Sequence, residues 1–281
     1  MPNLMRTRFA LIAALAAVVT FQGTALADAV IFSASGANPA SIQTIVDNFR
    51  AAVGNPNNAN GPGTTGGRRE INWDGGGTAN TTNPTPLTTF LNNRGALVAT
   101  PGTDFVQAPA AAGGLDTVFL NPTYALLFQP FSAARVFTPI GSNVTDVTFF
   151  IPGTNGATPA TVSAFGSVFS DVDLANTTSI QFFDIGGGSI GTFFAPNFTG
   201  NQTLSFLGVV FNAGEAVGRV RITTGNAVLS ANTFEGTSSD LVVMDDFIYS
   251  EPQAVPEPST VVLLATGLAA LALRRRFNTR F

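Results

Sequence analysis

From about residue 117 the chain alternates short apolar segments with turn-forming residues, and this pattern restricts its fold more than any other feature. Such spacing is typical of an antiparallel β-sandwich or jelly roll. Twenty-five phenylalanines against two tyrosines and one tryptophan indicate a phenylalanine-packed core between sheets. The candidate strands are 117–120, 126–130, 134–138, 144–151, 161–171, 178–185, 189–195, 203–211, 217–224 and 240–249.

One helix is predicted near the amino-terminal end, over residues 41–53. Its apolar side chains recur at helical spacing, and Asn38-Pro39 before it and Gly54 after it are typical start and stop residues. The sequence therefore predicts a mainly β protein with one short N-terminal helix. We assign residues 28–116, with Gly/Asn/Pro-rich loops, to the N-terminal part of the β domain and residues 117–251 to a jelly-roll-like β-sandwich module.

The amino-acid composition excludes several classes of catalytic and metal-binding site. The chain contains no cysteine, no histidine and no lysine. Disulfides, thiolate or histidine metal sites, Ser-His-Asp triads and Schiff-base lysines are therefore excluded within this sequence. Carboxylates, hydroxyls and arginines remain, and this narrow set favours a protein that is not an enzyme.

The charge is concentrated between the two ends of the chain. Residues 28–255 hold sixteen acidic residues against seven arginines, a net charge of −9. An acidic domain of this kind is disfavoured as a nucleic-acid partner. It is compatible with Ca²⁺ or neutral sugars, and the alternative is that the charge serves solubility alone.

Residues 1–27 have the three parts of a secretory signal peptide. Arg6 and Arg8 precede an apolar run, 9–21, that is too short for an ordinary membrane span. Ala25 and Ala27 occupy the A-x-A positions of a signal peptidase site, so the mature chain is expected to begin at Asp28. The alternative is an uncleaved anchor.

Residues 252–281 contain a second targeting pattern. Val255, Pro256, Glu257, Pro258 and Ser259 form a short motif that precedes an apolar stretch, 260–273, predicted to be a transmembrane helix. The basic tail 274–281 begins with a cluster that would stay cytoplasmic under the positive-inside rule. The cluster consists of Arg274, Arg275 and Arg276.

In this order, the motif, the apolar stretch and the basic cluster resemble the PEP-CTERM sorting signal of Gram-negative bacteria. The resemblance implies recognition of Pro256, Glu257 and Pro258 by an exosortase, followed by release or attachment to surface material. It also implies passage through the inner membrane, with the C-terminal helix in the bilayer before processing, and a final location at the cell surface or in the extracellular matrix. The alternative is a permanent single-span anchor.

Residues 144–249 also resemble a jelly-roll module that often precedes PEP-CTERM tails and is similar to carbohydrate-binding and lectin-like domains. This resemblance implies a non-enzymatic surface or matrix protein that binds extracellular polysaccharide. Two alternatives stay open: a carboxylate-based glycan hydrolase, and a structural coat or adhesion protein without a ligand.

Two pairs of aspartates are candidate metal ligands. Asp171 and Asp173 are two residues apart on a predicted strand and share a face. In the apolar segment 240–249, opposite parity turns either Asp245 or Asp246 inward, and an unpaired inward carboxylate is costly. Calcium, an oxygen-binding ion, is the expected cofactor if any metal is bound. Pairing with an arginine or with backbone N–H groups is the alternative.

Trp73 and Asp74 precede three glycines and are a candidate sugar-binding pair, because an aromatic ring can stack on a pyranose. Packing of the tryptophan in the core or at its rim is the alternative. No pair of carboxylates has a spacing that singles out a glycosidase site.

Overall fold

The computed structural model describes residues 28–255 and 266–268. The predicted signal peptide, the residues Pro256–Ser259 and the basic cluster lie outside the described residues. The strands are β1 (Ala29–Gly36), β2 (Arg68–Ile71), β3 (Thr81–Pro84), β4 (Ala96–Ala99), β5 (Asp104–Pro109), β6 (Arg135–Ile140), β7 (Val144–Phe149), β8 (Ala160–Thr161), β9 (Ala164–Ser170), β10 (Ser179–Asp184), β11 (Ser189–Phe194), β12 (Leu204–Phe211), β13 (Val217–Thr223), β14 (Val243–Ser250) and β15 (Gln253–Ala254).

Helices are few in this part of the chain. The longest is α1 (Pro39–Val53), and two single turns follow, α2 (Leu91–Arg94) and α3 (Leu115–Val118), with a 3-10 helix at Pro122–Leu126. The helix predicted over 41–53 is confirmed, and Asn38 caps it by accepting a hydrogen bond from the Ser41 N–H at 3.2 Å.

The strands form two main antiparallel sheets. The larger sheet has the order β1-β12-β9-β14-β6-β5-β3, and β2 also pairs with β14. The smaller sheet has the order β11-β10-β13-β7-β4, and β15 pairs separately with β8. Strands from before and after residue 116 share both main sheets. The mainly β, antiparallel prediction is confirmed, whereas the sandwich and jelly-roll assignments stay predictions.

Side chains from both sheets meet in one apolar core. The alternating residues Phe165 and Phe169 of β9 reach it from the larger sheet, and Ile180 and Phe182 of β10 reach it from the smaller one. Period-two alternation puts the intervening residues of β9 on the opposite face of the larger sheet. That face carries two further apolar clusters, which explains why β9 is buried over its whole length.

Helix α1 covers part of this outer face, where two glycines make room for it. Gly166 of β9 and Gly208 of β12 are register partners beneath the ring of Phe49. A Cβ atom added at Gly208 would lie 2.7 Å from two carbons of that ring. The glycines are therefore required by the close approach of the helix to the sheet.

A buried ion pair joins β2 to the residue that follows β14, near the carboxyl end of the domain. The guanidinium of Arg69 donates to both carboxylate oxygens of Glu251, at 2.6 and 2.7 Å, and both side chains are at most 1% exposed. Arg69 also donates to the carbonyls of Ala59, Gly61, Pro62 and Asn93. The Gly/Asn/Pro-rich loop is thereby held against the last residues before the sorting motif.

Two strand predictions are wrong. Segment 117–120 lies at the end of α3, and segment 126–130 follows the 3-10 helix without pairing in a sheet. Phe119 of the first segment, and Leu127 and Phe128 of the second, nevertheless pack in an apolar cluster on the outer face of the larger sheet. Apolar runs this short have the same composition in a strand and in a buried helical turn, which is why the pattern misled.

The predicted transmembrane segment 260–273 is described only at residues 266–268, which are helical. Within the part of the chain that the structure describes, no helix combines the length and the apolar character needed to cross a membrane.

Candidate ligand-binding site

A pocket of about 640 Å³ opens at one end of the two sheets. The register pairs Ser170 with both Leu204 and Val243, so the end of β9 meets the beginnings of β12 and β14 there. Loops that adjoin these three strands line the pocket, together with the 3-10 helix region. Its lining includes Leu127, Asp173, Asn201, Phe234, Glu235 and Thr237.

The loop between β13 and β14, which carries Phe234 and Glu235, is held by two buried polar side chains. The hydroxyl oxygen of Tyr124 lies 2.9 Å from the carbonyl oxygen of Ser230 and 3.0 Å from that of Thr233, and its proton is donated to these carbonyls. The amide nitrogen of Asn121 contacts the same two carbonyls at 3.2 and 2.9 Å. An irregular loop is thus fixed by side-chain hydrogen bonds in place of a strand ladder.

Phe234 presents an aromatic ring to solvent at the pocket. The residue is 54% exposed, whereas most phenylalanines among the described residues are buried. An exposed aromatic next to polar groups in a concave site is a common ligand-contacting arrangement.

Three carboxylates around the pocket cap backbone N–H groups. Asp173 accepts from the Gly200 N–H at 2.8 Å, and the buried Asp240 accepts from the Asp173 N–H at 2.9 Å. Glu235 accepts from the Leu241 N–H at 2.7 Å. These hydrogen bonds orient the three acids and fix the loops that carry them.

A fourth acid, Asp171, lies beneath this group with its carboxyl unsatisfied. It is fully buried, and neither of its carboxylate oxygens has a hydrogen-bond partner among the described residues. The nearby Gln202 N–H affects its pKa slightly but donates its hydrogen bond to the Leu127 carbonyl at 2.8 Å. Thr203, whose carbonyl accepts the Asp171 N–H, also has a buried hydroxyl without a partner.

The electrostatics of the acids follow from this burial. Burial first, and then the charges of Asp173, Glu235 and Asp240, raise the pKa of Asp171 to about 9. Burial is also the largest cause that raises the pKa of Glu235 to about 7. Asp240 has its pKa raised by burial as well, although hydrogen bonds oppose the shift. At neutral pH, Asp171 therefore carries a proton.

Asp245 and Asp246 lie elsewhere, on the outer face of the larger sheet. In β14, Met244 pairs with Phe169 and Phe247 with Ser167, so the two aspartates form a bulge between core residues. The bulge buries both carboxylates on the same side of the sheet, and the expectation that only one turns inward is wrong.

The hydroxyl of Ser132 lies among three carboxylates in this second acidic group. Its oxygen is 2.9 Å from Asp246, 3.0 Å from Asp74 and 3.4 Å from Asp245. One hydroxyl carries a single proton, so Ser132 donates a full hydrogen bond to only one of the three carboxylates at a time. Burial and the charge of Asp246 raise the pKa of Asp245 well above its ordinary value.

The structure separates the four aspartates predicted as metal ligands into these two groups. Asp171 and Asp173 belong to the pocket, whereas Asp245 and Asp246 accept hydrogen bonds from the loop before β6 and from Arg50. Within residues 28–255 and 266–268, no three acidic side chains converge closely enough to hold a metal ion. Calcium binding stays a prediction.

The indole ring of Trp73 packs in the core, so it offers no face to a sugar. It is 1% exposed and stacks on Phe137 at a centroid distance of 3.6 Å, while Phe90 and Phe247 meet it edge-on. Asp74 accepts from the Ser132 hydroxyl and from the Arg135 N–H. The packing alternative for Trp73 therefore matches the structure.

Sequence reasoning missed Phe234, Glu235 and Asp240. Phe234 and Glu235 lie in a segment without strand alternation, and Asp240 is the first residue of the predicted strand 240–249. Only the fold brings these residues next to Asp171 and Asp173. One signal was available: Phe234 is a large aromatic flanked by polar residues in a turn-rich segment, an unusual place for core packing.

Comparison with protein families identifies one feature of the chain. Residues 254–276 match the PEP-CTERM protein-sorting motif, which confirms the assignment of that tail. No curated protein and no solved structure matches the chain. The motif indicates an exported protein that is sorted by an exosortase.

Proposed function

We propose that the β domain is a non-enzymatic surface or matrix component of a Gram-negative bacterium that binds extracellular polysaccharide in the pocket beside Phe234. The observation that carries this proposal is the combination of an exposed aromatic ring with carboxylate and amide groups in one open cavity. Its volume of about 640 Å³ is in the range of small-molecule sites.

The chemistry of the lining suits a sugar. The C–H face of a pyranose ring can stack on Phe234, while its hydroxyls donate to the carboxylates of Asp173 and Glu235. The amide of Asn201 can both donate and accept. Since hydrogen bonds already hold the carboxylates in place, little further ordering is needed when a ligand binds.

A second function, glycan hydrolysis, is favoured by one observation. Glu235 has a pKa near 7 and shares the pocket with Asp173, and a carboxyl with a raised pKa beside a second carboxylate is the arrangement that glycosidases use. Against it, both oxygens of Glu235 accept backbone hydrogen bonds, from the Gly236 and Leu241 N–H groups.

Binding can be tested on a glycan array, followed by titration calorimetry with the polysaccharides that bind. We expect Phe234→Ala to weaken binding at least tenfold. The matched control is Phe194→Ala, which removes another exposed phenylalanine, 48% exposed on β11. Equal losses from both substitutions, or no binding to any glycan, would refute the pocket as the site.

Turnover can be followed with the same glycans by the release of reducing ends. A binding protein releases none, whereas a hydrolase loses its activity in Glu235→Gln and keeps its fold. Mass spectrometry of the native protein tests the route of export. Removal of both targeting segments predicts a chain from Asp28 to about Pro258.

A further inference from the structure

Among the described residues, no arginine lies at the acidic pocket to balance its negative charge. Asp171, Asp173, Glu235 and Asp240 influence one another electrostatically, and none of the residues that line the pocket is an arginine. The seven arginines of residues 28–255 are engaged elsewhere: Arg50 and Arg68 with Glu70, Arg69 with Glu251, Arg94 with Asn60, Arg135 with backbone carbonyls, and Arg219 and Arg221 with Asp146.

The buried carboxyl of Asp171 lacks a hydrogen-bond partner among the described residues, in addition to lacking a nearby positive charge. A buried carboxyl normally receives hydrogen bonds, and in this fold Asp245 accepts from three backbone N–H groups. Asp171 receives none, and the adjacent hydroxyl of Thr203 is equally unpartnered. Because the surrounding charges are all negative, the environment favours a positively charged ligand and disfavours an anionic one.

The geometry favours a cation carried by a sugar over a bare metal ion. Calcium needs six to eight oxygen ligands, and in the described part of the chain the acids do not converge on one point. A protonated amine needs only one or two carboxylates within hydrogen-bond distance. An amino sugar also brings an apolar ring face for Phe234 and hydroxyls for Asn201.

We propose that this pocket selects polysaccharides that carry free, protonated amino sugars and rejects polysaccharides that carry uronate or sulfate groups. This inference rests on the proposed function, because it assigns a ligand class to the same pocket. Asp173 and Glu235, the acids that line the cavity, contact the amine. Asp171, which carries a proton at neutral pH, contributes no charge to the pocket.

Three oligosaccharides of equal length test the proposal by titration calorimetry near pH 6. They are oligomers of glucosamine, of N-acetylglucosamine and of galacturonate, which carry positive, zero and negative charge. We expect the glucosamine oligomer to bind at least tenfold more tightly than the N-acetylated one, with an advantage that shrinks as sodium chloride is added. The galacturonate oligomer should not bind.

Substitutions of the acids that line the pocket test whether the preference for the amine-bearing oligomer arises there. Asp173→Asn keeps an oxygen that can accept the Gly200 N–H, and it should reduce the advantage of the amine at least fivefold while N-acetylglucosamine binding changes little. Glu235→Gln should have a smaller effect, because burial raises the pKa of Glu235 to about 7 and most of this carboxyl is already protonated near pH 6. Asp184→Asn replaces an exposed acid at the end of β10; it is the control and should have no effect.

The outcomes separate this inference from the proposed function. Equal binding of the neutral and amine-bearing oligomers, lost in Phe234→Ala, would overturn the amine preference and leave polysaccharide binding intact. Binding of galacturonate would overturn it as well. An amine preference that survives in both Asp173→Asn and Glu235→Gln would show that the amine binds elsewhere. No binding of any oligosaccharide would remove both proposals.

Discussion

Replacing Asp171 by asparagine should change how the stability of the protein depends on pH. The pKa of this buried carboxyl is raised from 3.8 to about 9. Between these values the native state holds a proton that the unfolded chain has released. The native state is therefore favoured at acid pH, and its stability falls as the pH rises.

The magnitude follows from the size of the shift. Inside the window between the two pKa values, each pH unit changes the free energy of unfolding by about 1.4 kcal/mol. Between pH 5 and pH 8 the wild-type protein should lose about 4 kcal/mol through this group alone. Asparagine has nearly the same shape and does not titrate, so Asp171→Asn should match the wild type only below the unfolded pKa of 3.8, and its advantage should grow from there through pH 5 to pH 8.

Urea unfolding at several pH values measures this difference. The two free-energy curves should diverge steadily from pH 5 to pH 8, by about 1.4 kcal/mol per unit. Asp184→Asn is the control, because its exposed side chain should leave the curve parallel to that of the wild type. Parallel curves for Asp171→Asn as well would refute the reasoning, since they would show that Asp171 titrates as an exposed carboxyl does.

Three further predictions concern the packing, the buried ion pair and calcium. Gly208→Ala should lower the free energy of unfolding by about 1–3 kcal/mol through its clash with Phe49, whereas Gly66→Ala, with open space around it, should have little effect in the same urea titration. Arg69→Met leaves the buried carboxylate of Glu251 without its cation and should cost about 3–5 kcal/mol by denaturant unfolding. If calcium is bound, a chelator should lower the melting temperature by several degrees in calorimetry.

Each of these expectations has a contrary outcome. A neutral Gly208→Ala would mean that α1 can move away from the sheet. If Arg69→Met unfolds at the urea concentration of the wild type, the ion pair does not hold the loop. An unchanged melting curve after chelation would show that no bound calcium ion stabilises the protein.

The features of the fold that could be predicted are those with a local cause. Helix α1 was visible because its apolar face, its asparagine cap and its terminal glycine lie within one short segment. The strand alternation of 144–151 was equally local, and its alternate residues Val147 and Phe149 are buried as expected. The sorting motif was readable because its parts are consecutive in the chain.

The candidate site could be predicted only in part, because long-range contacts create it. Asp171 and Asp173 were found from their spacing, but their neighbours Glu235 and Asp240 lie more than sixty residues further along the chain. Trp73 was misleading for the same reason, since only the tertiary structure shows that Phe137 covers its ring. The bulge at Asp245 and Asp246 could not be predicted either. It places both side chains on one side of the sheet, whereas strict alternation along a strand would place them on opposite sides.

Strand β14 has a position that matters for the order of events during export. It pairs with β9, β6 and β2 inside the larger sheet, and the sorting motif, residues 254–276, begins shortly after it. Its pairing of Phe247 with Ile71 joins segments from opposite ends of the domain. A chain that emerges with its amino end first must therefore leave the sheet unfinished, with open edges, until almost everything has crossed. The sorting motif, residues 254–276, emerges directly after β14, so completion of the fold and presentation of the motif to the exosortase should follow each other closely.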